Sequence, residues 1–478
     1  EIFKPEVRRK TEEKHYLENR YLFYQVLTNF RKKVYISYPK FDNDVELIPS
    51  SFINSLNEII ISNDKFTEIE ENVIYSLQDL QLLTGDLILN TIEYPDSLHL
   101  YKNIYDNLKE KSAIELSRIK NHNLPQYEGI IWNNISDDLK VKLTDYKFNE
   151  YSISELEEYS KCPMRYFFSR IMNIESIEEV EDDITALEFG TIIHETLFTF
   201  FNNWKKSFQQ KSFYEQSDLD FDSNLKTLTE IALEKVKELN ITNPFFEIDF
   251  QKVIGDGNKI NGILKNFLKF ELKEKNKLFS YIFEPSYFEV SFGKNIGDKR
   301  FSDSTLSVDT SIVLENINIR GKVDRVDILK QNNKLLFIIF DYKTGKYLPG
   351  LKDITEGISL QLPIYILCIK KIFENTSHYE IIPVGGVYYS LNESPEIIPG
   401  IFNINYFNNT RSKKVMEESE YSSVLNKSVE FIKEYINDIS SGKFGYPKPE
   451  RDLDSICRFC NYVTICRIKT HKTIEYNN

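Results

Sequence analysis

The sequence contains no apolar run as long as the roughly 18 residues that a membrane-spanning helix requires. It also has no initiator methionine, no signal-peptide pattern, no internal repeat and no low-complexity tract. These absences argue against a membrane protein and a secreted precursor. We therefore expect a soluble, cytoplasmic chain, and its charged opening stretch suggests a piece of a longer protein. With 478 residues, of which 41% are hydrophobic, two or more globular domains are expected.

Positive charge is also in short supply. The 60 Lys and Arg residues are outnumbered by 73 Asp and Glu residues, which gives a formal net charge of -13. General electrostatic attraction to nucleic acid depends on Lys and Arg neutralising phosphates, so any contact of this chain with nucleic acid must be local. An acidic balance is compatible with a protein whose carboxylates hold divalent cations.

The sequence lacks the glycine-rich loop ending in Gly-Lys-Ser or Gly-Lys-Thr that cradles a nucleotide phosphate. Its first forty residues predict a charged helix over 11–30 and a strand over 33–38. Residues 21–30 resemble the last motor motif of superfamily 1 helicases, although Asn29 stands where an Arg usually follows the Thr. The resemblance implies that residues 1–46 are a degenerate helicase-like remnant; an ordinary packed helix and strand is the alternative.

The rest of the chain divides by its periodicity. Residues 47–150 show mainly helical patterns and predict a bridging region, whereas residues 151–478 predict an α/β domain. Ser152 and Glu155 form a candidate capping box for the first helix of that domain. Helical patterns return after Glu356, so we expect a sheet flanked by helices. The predicted strands are 287–292, 311–318, 320–329 and 334–340.

An apolar run over 335–340 predicts a central strand buried on both faces, and it ends abruptly in Asp341-Tyr342-Lys343. The two-residue period of a strand places Asp341 and Lys343 on one face. A hairpin would bring Asp324 alongside, so that two carboxylates share a divalent cation while the lysine orients or deprotonates a water. Such a group can hydrolyse a phosphodiester. The alternative is a salt bridge at the end of a strand.

Further motifs make a family resemblance specific. Gly190 and His194 form a Gly-x-x-x-His step on a predicted helix, and Gln361 and Tyr365 lie four residues apart, hence on one helix face. Together with segments 321–324 and 341–343, they resemble the PD-(D/E)xK nucleases of the RecB and AddB type.

The resemblance implies a restriction-endonuclease-like fold, with a central mixed sheet between helices. It also implies Mg²⁺ or Mn²⁺ bound by His194, Asp324 and Asp341. Without the resemblance, a lone His on an apolar helix is better explained as a packed core residue. Glu289 is either an accessory acid or an exposed strand residue. The residues to which the resemblance assigns catalytic roles are Asp324, Asp341, Lys343, Gln361 and Tyr365.

Three of the five cysteines are close together near the C-terminus, at Cys457, Cys460 and Cys466, with the spacing of metal ligands. A fourth thiolate would come from Cys162 or Cys368, and the apolar surroundings of Cys368 favour a buried packing role. Disulfides are not expected in a reducing cytoplasm. The spacing leaves both zinc and an iron–sulfur cluster open.

Segment 162–168, taken with the distant Cys-x2-Cys-x5-Cys, is similar to AddB-type nuclease domains. This resemblance covers residues 151–467 and implies a 4Fe–4S cluster held by Cys162, Cys457, Cys460 and Cys466. It further implies a DNA nuclease, in the first place an exonuclease, that processes double-strand-break ends with a partner subunit of AddA type.

Two rival functions follow from the same motifs. A stand-alone iron–sulfur exonuclease of the CRISPR-adaptation type shares the cysteines and the acidic core, but the helicase-like N-terminus argues against it. A non-catalytic iron–sulfur DNA-binding module is opposed by the intact Asp324, Asp341 and Lys343.

Overall fold

The structure is a computed structural model that describes residues 5–37, 39, 41–42, 45–57, 76–89, 102–120, 127–175, 186–207, 212–215, 218–238, 246–255, 262–294, 296, 299–345, 348–408, 414–447, 453–466 and 468. The chain divides into two compact units, residues 1–110 and 111–478.

The described part of the first unit is mostly helical. Its core includes an aromatic contact in which Phe52 packs against Tyr16 and Phe23, with ring centroids 5.4 and 5.5 Å away. The described elements that begin in this unit are α1 (Pro5–Asn29), β1 (Phe41–Asp42), β2 (Val45–Glu46), α2 (Ser51–Asn57), α3 (Leu77–Leu89) and α4 (Lys102–Lys120), which runs past the boundary between the units.

Helix α1 confirms the helix predicted over 11–30. The strand predicted over 33–38 is wrong for its described part, because residues 33–37 adopt no strand; Tyr38 lies outside the described residues. The pattern of Val34 and Ile36 suggested alternation, but a strand also requires a neighbour to bond to. The side chain of Tyr35 is 87% exposed, as expected for a segment without a packed face.

The second unit is built around an eight-stranded sheet with helices on both faces. Its strands are β3 (Glu150–Ser152), β4 (Glu284–Phe292), β5 (Ile312–Leu314), β6 (Ile317–Gln331), β7 (Lys334–Lys343), β8 (Glu380–Ser390), β9 (Glu396–Asn403) and β10 (Val415–Met416). Its helices are α5 (Asp137–Asp145), α6 (Ile153–Lys161), α7 (Pro163–Tyr166), α8 (Ala186–Ser207), α9 (Asp218–Glu238), α10 (Phe246–Ile254), α11 (Ile263–Lys273), α12 (Leu351–Thr355), α13 (Gln361–Thr376), α14 (Glu418–Ser440), α15 (Leu453–Cys457) and α16 (Val463–Cys466).

The strands are ordered β10-β9-β8-β7-β6-β3, and β4 and β5 also pair with β6. Pairings β7–β8, β3–β6 and β9–β10 are parallel and the others in this sheet are antiparallel, which confirms the expected mixed sheet. Helix α6 starts where expected, because the Ser152 side chain accepts a hydrogen bond from the Glu155 amide at 3.3 Å. This bond confirms Ser152 as the N-cap.

Strand β7 shows why the apolar run 335–340 has no polar position. Phe337 and Ile339 lie in the core that contains α13, whereas Ile338 and Phe340 lie in the core that contains α8 and α11. Both faces of the strand are therefore covered, as the sequence predicted.

Two tight turns fix the strand boundaries around β6. Glu315 and Asn316 have φ values of 44° and 72°, and Asn332 and Asn333 have φ values of 49° and 59°. Two consecutive left-handed residues make the hairpin turn that matches the twist of the strands it joins. The first turn interrupts the strand predicted over 311–318, so that β5 ends at Leu314 and β6 begins at Ile317.

Strand β4 changes its facing at Glu289. Two residues that lie two apart in a strand normally share a face. Phe288 nevertheless lies in the core beside α8, while Val290 lies in the core beside α13. Glu289, between them, has a left-handed φ of 52°, which breaks the alternation.

The neighbouring strand β6 changes its facing at the matching position. Its Val323 lies in the core beside α13, but the guanidinium of Arg325 is 4.9 Å from the ring centroid of Phe201 on α8. Val323 and Arg325 are the β6 partners of Val290 and Phe288, so Asp324 lies opposite Glu289. The two carboxylates thus come from the same level of two adjacent strands.

A fully buried ion network lies beside this level on the α8 and α11 side of the sheet. Arg325 donates to Asp327 from Nε at 2.6 Å and to Glu271 from Nη2 at 2.6 Å, and Lys275 pairs with the same two carboxylates. Burial raises the pKa of Glu271, but Arg325 and Lys275 outweigh it and lower that pKa to about 2. The four groups therefore remain charged inside the protein, and each depends on the others.

Replacing Arg325 by Met should remove the centre of this network. Taking away one partner of a buried pair strands the other charges and typically costs about 3–5 kcal/mol. We expect the free energy of unfolding in urea at pH 7 to fall by that amount for Arg325→Met. Lys334→Met is the control, since Lys334 and Glu380 form an exposed pair at 3.6 Å whose loss should cost less than about 1 kcal/mol. Equal losses in the two variants would contradict the assigned role of the network.

Candidate functional site

Three side chains of the metal-ligand type meet beside the level at which β4 and β6 change facing. Each of His194, Glu289 and Asp324 offers an atom within 4.8 Å of the others. Nδ1 of His194 is 3.4 Å from Oε1 of Glu289 and 3.5 Å from Oδ1 of Asp324. One imidazole nitrogen and two carboxylates suit a divalent cation such as Mg²⁺ or Mn²⁺. We call these three residues the metal-ligand group.

His194 is supplied by α8, whose apolar face packs on the sheet. Its ring meets the ring of Tyr342 edge-on, with centroids 5.6 Å apart, and this contact orients the imidazole. A Cβ added at Gly190, one turn earlier, would lie 3.7 Å from Oγ1 of Thr344. That is an ordinary contact, so the glycine of the Gly-x-x-x-His step is not sterically required here.

Glu289 belongs to the site rather than to the surface. The side chain is buried, and its Oε2 pairs with Nζ of Lys322 at 2.7 Å while its Oε1 faces His194. The alternative of an exposed strand residue is therefore wrong. Its left-handed backbone is unfavourable for a glutamate, and such strained positions are common at functional sites.

Asp324 is held from the neighbouring strand. Its Oδ2 accepts a hydrogen bond from the Tyr342 amide at 2.7 Å, and its Oδ1 faces His194. Burial raises the pKa of Asp324, but His194 and the Tyr342 amide outweigh it and leave that pKa below the usual value. Asp324 is consequently an anion, ready to accept a cation.

Asp341 and Lys343 share a face of β7, as the two-residue period predicted. Asp341 is not part of the metal-ligand group; its Oδ2 pairs with Nζ of Lys343 at 2.7 Å. Burial and the nearby Asp324 raise the pKa of Asp341 to about 7, although Lys343 lowers it. Burial lowers the pKa of Lys343, but Asp341 outweighs it, so that the pKa is raised and the ammonium is favoured.

Gln361 and Tyr365 approach from α13. Oε1 of Gln361 is 3.5 Å from Nζ of Lys343. Tyr365 is buried and packs over Gly321, where an added Cβ would come within 2.8 Å of its ring. Gly321 therefore permits the close approach of the tyrosine to β6, which explains a glycine three residues before Asp324.

The sequence did not single out Lys322. Its pairing with Glu289 places an ammonium beside the metal-ligand group. Lys322 and Asp324 are two residues apart on β6, and that spacing was the available signal.

Four cysteines meet at a second place in this unit. Cys162, Cys457, Cys460 and Cys466 line the same small cavity, together with aromatic side chains that include Phe168 and Tyr462. None of the four is in a disulfide. Burial raises the pKa of Cys162 to about 11, the Arg165 amide lowers it, and the other three thiols raise it further. Four thiols around one cavity form a donor set that suits either zinc or an iron–sulfur cluster.

The fifth cysteine lies elsewhere. Cys368 on α13 is fully buried in the core that contains α13 and α14.

Comparison with known proteins agrees with this geometry. The model of the PD-(D/E)XK nuclease superfamily matches residues 150–467, which is well over half of the chain. In the part of the chain that the structure describes, no helix has both the length and the apolar character needed to cross a membrane.

Three similar curated proteins each carry the name of the B-type subunit of an ATP-dependent helicase/deoxyribonuclease. The protein of Lactobacillus gasseri is 27% identical over 382 residues, covering 78% of this chain and 31% of the relative. That of Clostridium tetani is 26% identical over 390 residues, covering 79% and 31%. That of Natranaerobius thermophilus is 21% identical over 531 residues, covering 97% and 42%. The chain thus spans about a third of the length of the first two relatives.

The pKa shifts predict how cation binding depends on pH. Burial lowers the pKa of His194, but Asp324 and Glu289 outweigh it and raise that pKa well above 6.5. A cation must displace this proton, so the affinity for Mn²⁺ should rise with pH, up to about tenfold per pH unit for each proton released. Without metal, the stabilisation from protonated His194 is complete below about 6.5 and is lost as pH rises through the raised pKa.

Calorimetry in buffers of different ionisation enthalpy measures this proton release directly. His194→Asn should bind Mn²⁺ more weakly and with one proton fewer released, whereas His378→Asn, at an exposed position, should behave as the unaltered protein does. An Mn²⁺ affinity that is independent of pH would rule out His194 as a ligand.

Proposed function

The chain belongs to the PD-(D/E)XK nuclease superfamily, and on that premise we propose that it is a deoxyribonuclease that requires Mg²⁺ or Mn²⁺. The observation that carries the proposal is the metal-ligand group of His194, Glu289 and Asp324. It lies beside Asp341, whose carboxylate is paired with Lys343. We assign Asp324, Asp341, Lys343, Gln361 and Tyr365 to the catalytic machinery and add Glu289 to His194 and Asp324 as a ligand.

The residues can divide the chemistry of phosphodiester hydrolysis among them. A bound Mg²⁺ or Mn²⁺ would supply a more acidic water and neutralise charge on the phosphate. His194, Glu289 and Asp324 would hold the cation. Lys343, held between Asp341 and Gln361, is placed to orient the attacking water and to hold charge at its Nζ as the phosphate changes.

We also propose a biological setting. The name of the relatives supports a chain that works with a helicase-nuclease partner of AddA type on DNA, in the processing of double-strand-break ends in the cytoplasm. In this view residues 1–46 are a helicase-like remnant, 47–150 a bridging region and 151–478 the nuclease domain. An exonuclease that degrades from ends suits that task.

The four cysteines that line one cavity are proposed to hold a 4Fe–4S cluster. Cys162 follows the first helix of the domain, and the other three ligands lie almost a whole domain later. Ligation would close a very long loop, which removes conformational freedom from the unfolded chain and adds bond energy that is present only when the ends meet. Its role would therefore be structural.

Asp341→Ala should abolish DNA cleavage without unfolding the protein, and Asp324→Ala should do the same. Lys343→Ala should lower turnover more than Mn²⁺ affinity, because Lys343 acts on the water or the transition state rather than on the ion. Labelled linear and circular DNA with Mg²⁺ reports activity and end dependence together. Asp138→Ala, at an exposed position on α5, is the control. Full cleavage by Asp341→Ala would refute the assigned site.

Cys162→Ala should lose iron, melt earlier and lose cleavage secondarily. Purified without oxygen, the unaltered protein should be brown and contain about four irons, as expected for a four-thiolate cubane. Cys368→Ala is the matched control and should keep its iron, since its thiol is buried in a different core. Zinc in place of iron, or full iron retention by Cys162→Ala, would overturn the cluster.

A further inference from the structure

Helix α13 begins without a capping side chain of its own. Its N-cap residue is Leu360, whose side chain has no hydrogen-bonding atom. The first amides of a helix have no partners within the helix and require an acceptor from elsewhere. That acceptor is Glu157 on α6: its Oε1 accepts from the Leu360 amide at 2.6 Å and from the Gln361 amide at 2.9 Å.

The end of α13 that Glu157 holds is the end that reaches the active site. Gln361 is the first residue of the helix, and its side-chain oxygen is 3.5 Å from Nζ of Lys343. Lys343 in turn pairs with Asp341 at 2.7 Å. A short chain of contacts therefore runs from Glu157 through Gln361 and Lys343 to Asp341, although Glu157 itself is not in the metal-ligand group.

Two features make this carboxylate a good anchor. Its side chain is only 13% exposed, so water competes little for its oxygens. It also lies at a helix N-terminus, where the aligned peptide dipoles favour a negative charge. An acceptor at that position typically contributes about 1 kcal/mol, and more when its partners are buried.

We propose that Glu157 is a positioning residue for the nuclease reaction, which fixes the first turn of α13 so that Gln361 holds Lys343 against Asp341. The proposal rests on the proposed nuclease function. Glu157 touches neither the metal-ligand group nor the reacting phosphate in this role; it acts only through the helix that it caps. Its loss should therefore reduce turnover rather than the binding of DNA or metal.

The adjacent Glu158 offers a matched control. It lies on the same helix and is also mostly buried, but it pairs with Arg165, Arg170 and Ser169 in the segment after Cys162. Removing its carboxylate takes hydrogen bonds from α6 without touching α13. General loosening of α6 would affect both variants, whereas release of α13 would affect only Glu157 variants.

The test uses the full chain with Mn²⁺ and follows two readouts, amide hydrogen exchange at residues 360–361 and the kinetics of DNA cleavage. For Glu157→Ala, loss of a buried acceptor should speed exchange of these amides by about tenfold or more and lower kcat by about tenfold. KM for DNA and the Mn²⁺ dissociation constant should stay within about twofold, because neither ligand touches Glu157.

Two conservative variants make the test specific. Glu157→Gln keeps an acceptor oxygen at the same reach, so it should restore both amide protection and kcat. Glu157→Asp keeps the charge but withdraws it by one methylene; it should fold even if the alanine variant does not, and should give an intermediate loss of protection and kcat. Glu158→Ala should leave exchange at 360–361 and kcat unchanged.

The proposal is overturned if Glu157→Ala exchanges and turns over as the unaltered protein does, or if Glu158→Ala loses kcat equally. It is also overturned if Glu157→Gln keeps the amides protected yet remains as inactive as Glu157→Ala. Failure of the nuclease function gives a different result, since the unaltered protein would then cleave no DNA with Mn²⁺ while the exchange readout would still report whether Glu157 holds α13.

Discussion

The ladder between β4, β6 and β7 places most of the side chains on which the site depends. Glu289 and Asp324 lie at one level of β4 and β6, and Asp324 is held from β7 by the Tyr342 amide. Because both β4 and β6 change facing at this level, their carboxylates meet His194 of α8. A regular ladder would alternate through this level and could not turn both acids to one helix. The unfavourable backbone of Glu289 is therefore part of the site's construction.

The buried ion network holds that irregular level in place. Arg325 follows Asp324 directly and is fixed by Asp327 and Glu271, while its Nη1 lies 3.5 Å from the Tyr342 hydroxyl. Tyr342 therefore links the network to the site twice, through its hydroxyl and through its amide. Burying four charges is costly by itself, and only complete pairing compensates for it. The metal-ligand group thus rests on a layer that tolerates little movement.

Much of this could be predicted from local pattern. The apolar run before Asp341 indicated a doubly covered strand, and the two-residue period placed Asp341 beside Lys343. The missing parts depend on distant partners or on exceptions to the period. A left-handed Glu289 has no sequence signature, and Glu157 caps a helix that begins about 200 residues later. The strand predicted over 33–38 failed for the same reason, since alternation alone supplies no pairing neighbour.

The four cysteines have a consequence for synthesis on the ribosome. Cys162 emerges early in the domain and the last ligand, Cys466, about 300 residues later. At about 5–20 residues per second, the interval lasts tens of seconds. The cavity cannot be complete until Cys466 has left the exit tunnel, and a chain cut short before Cys457 would carry every residue of the metal-ligand group but one thiol of the four. Cluster insertion would thus distinguish finished chains from truncated ones that already contain the acidic site.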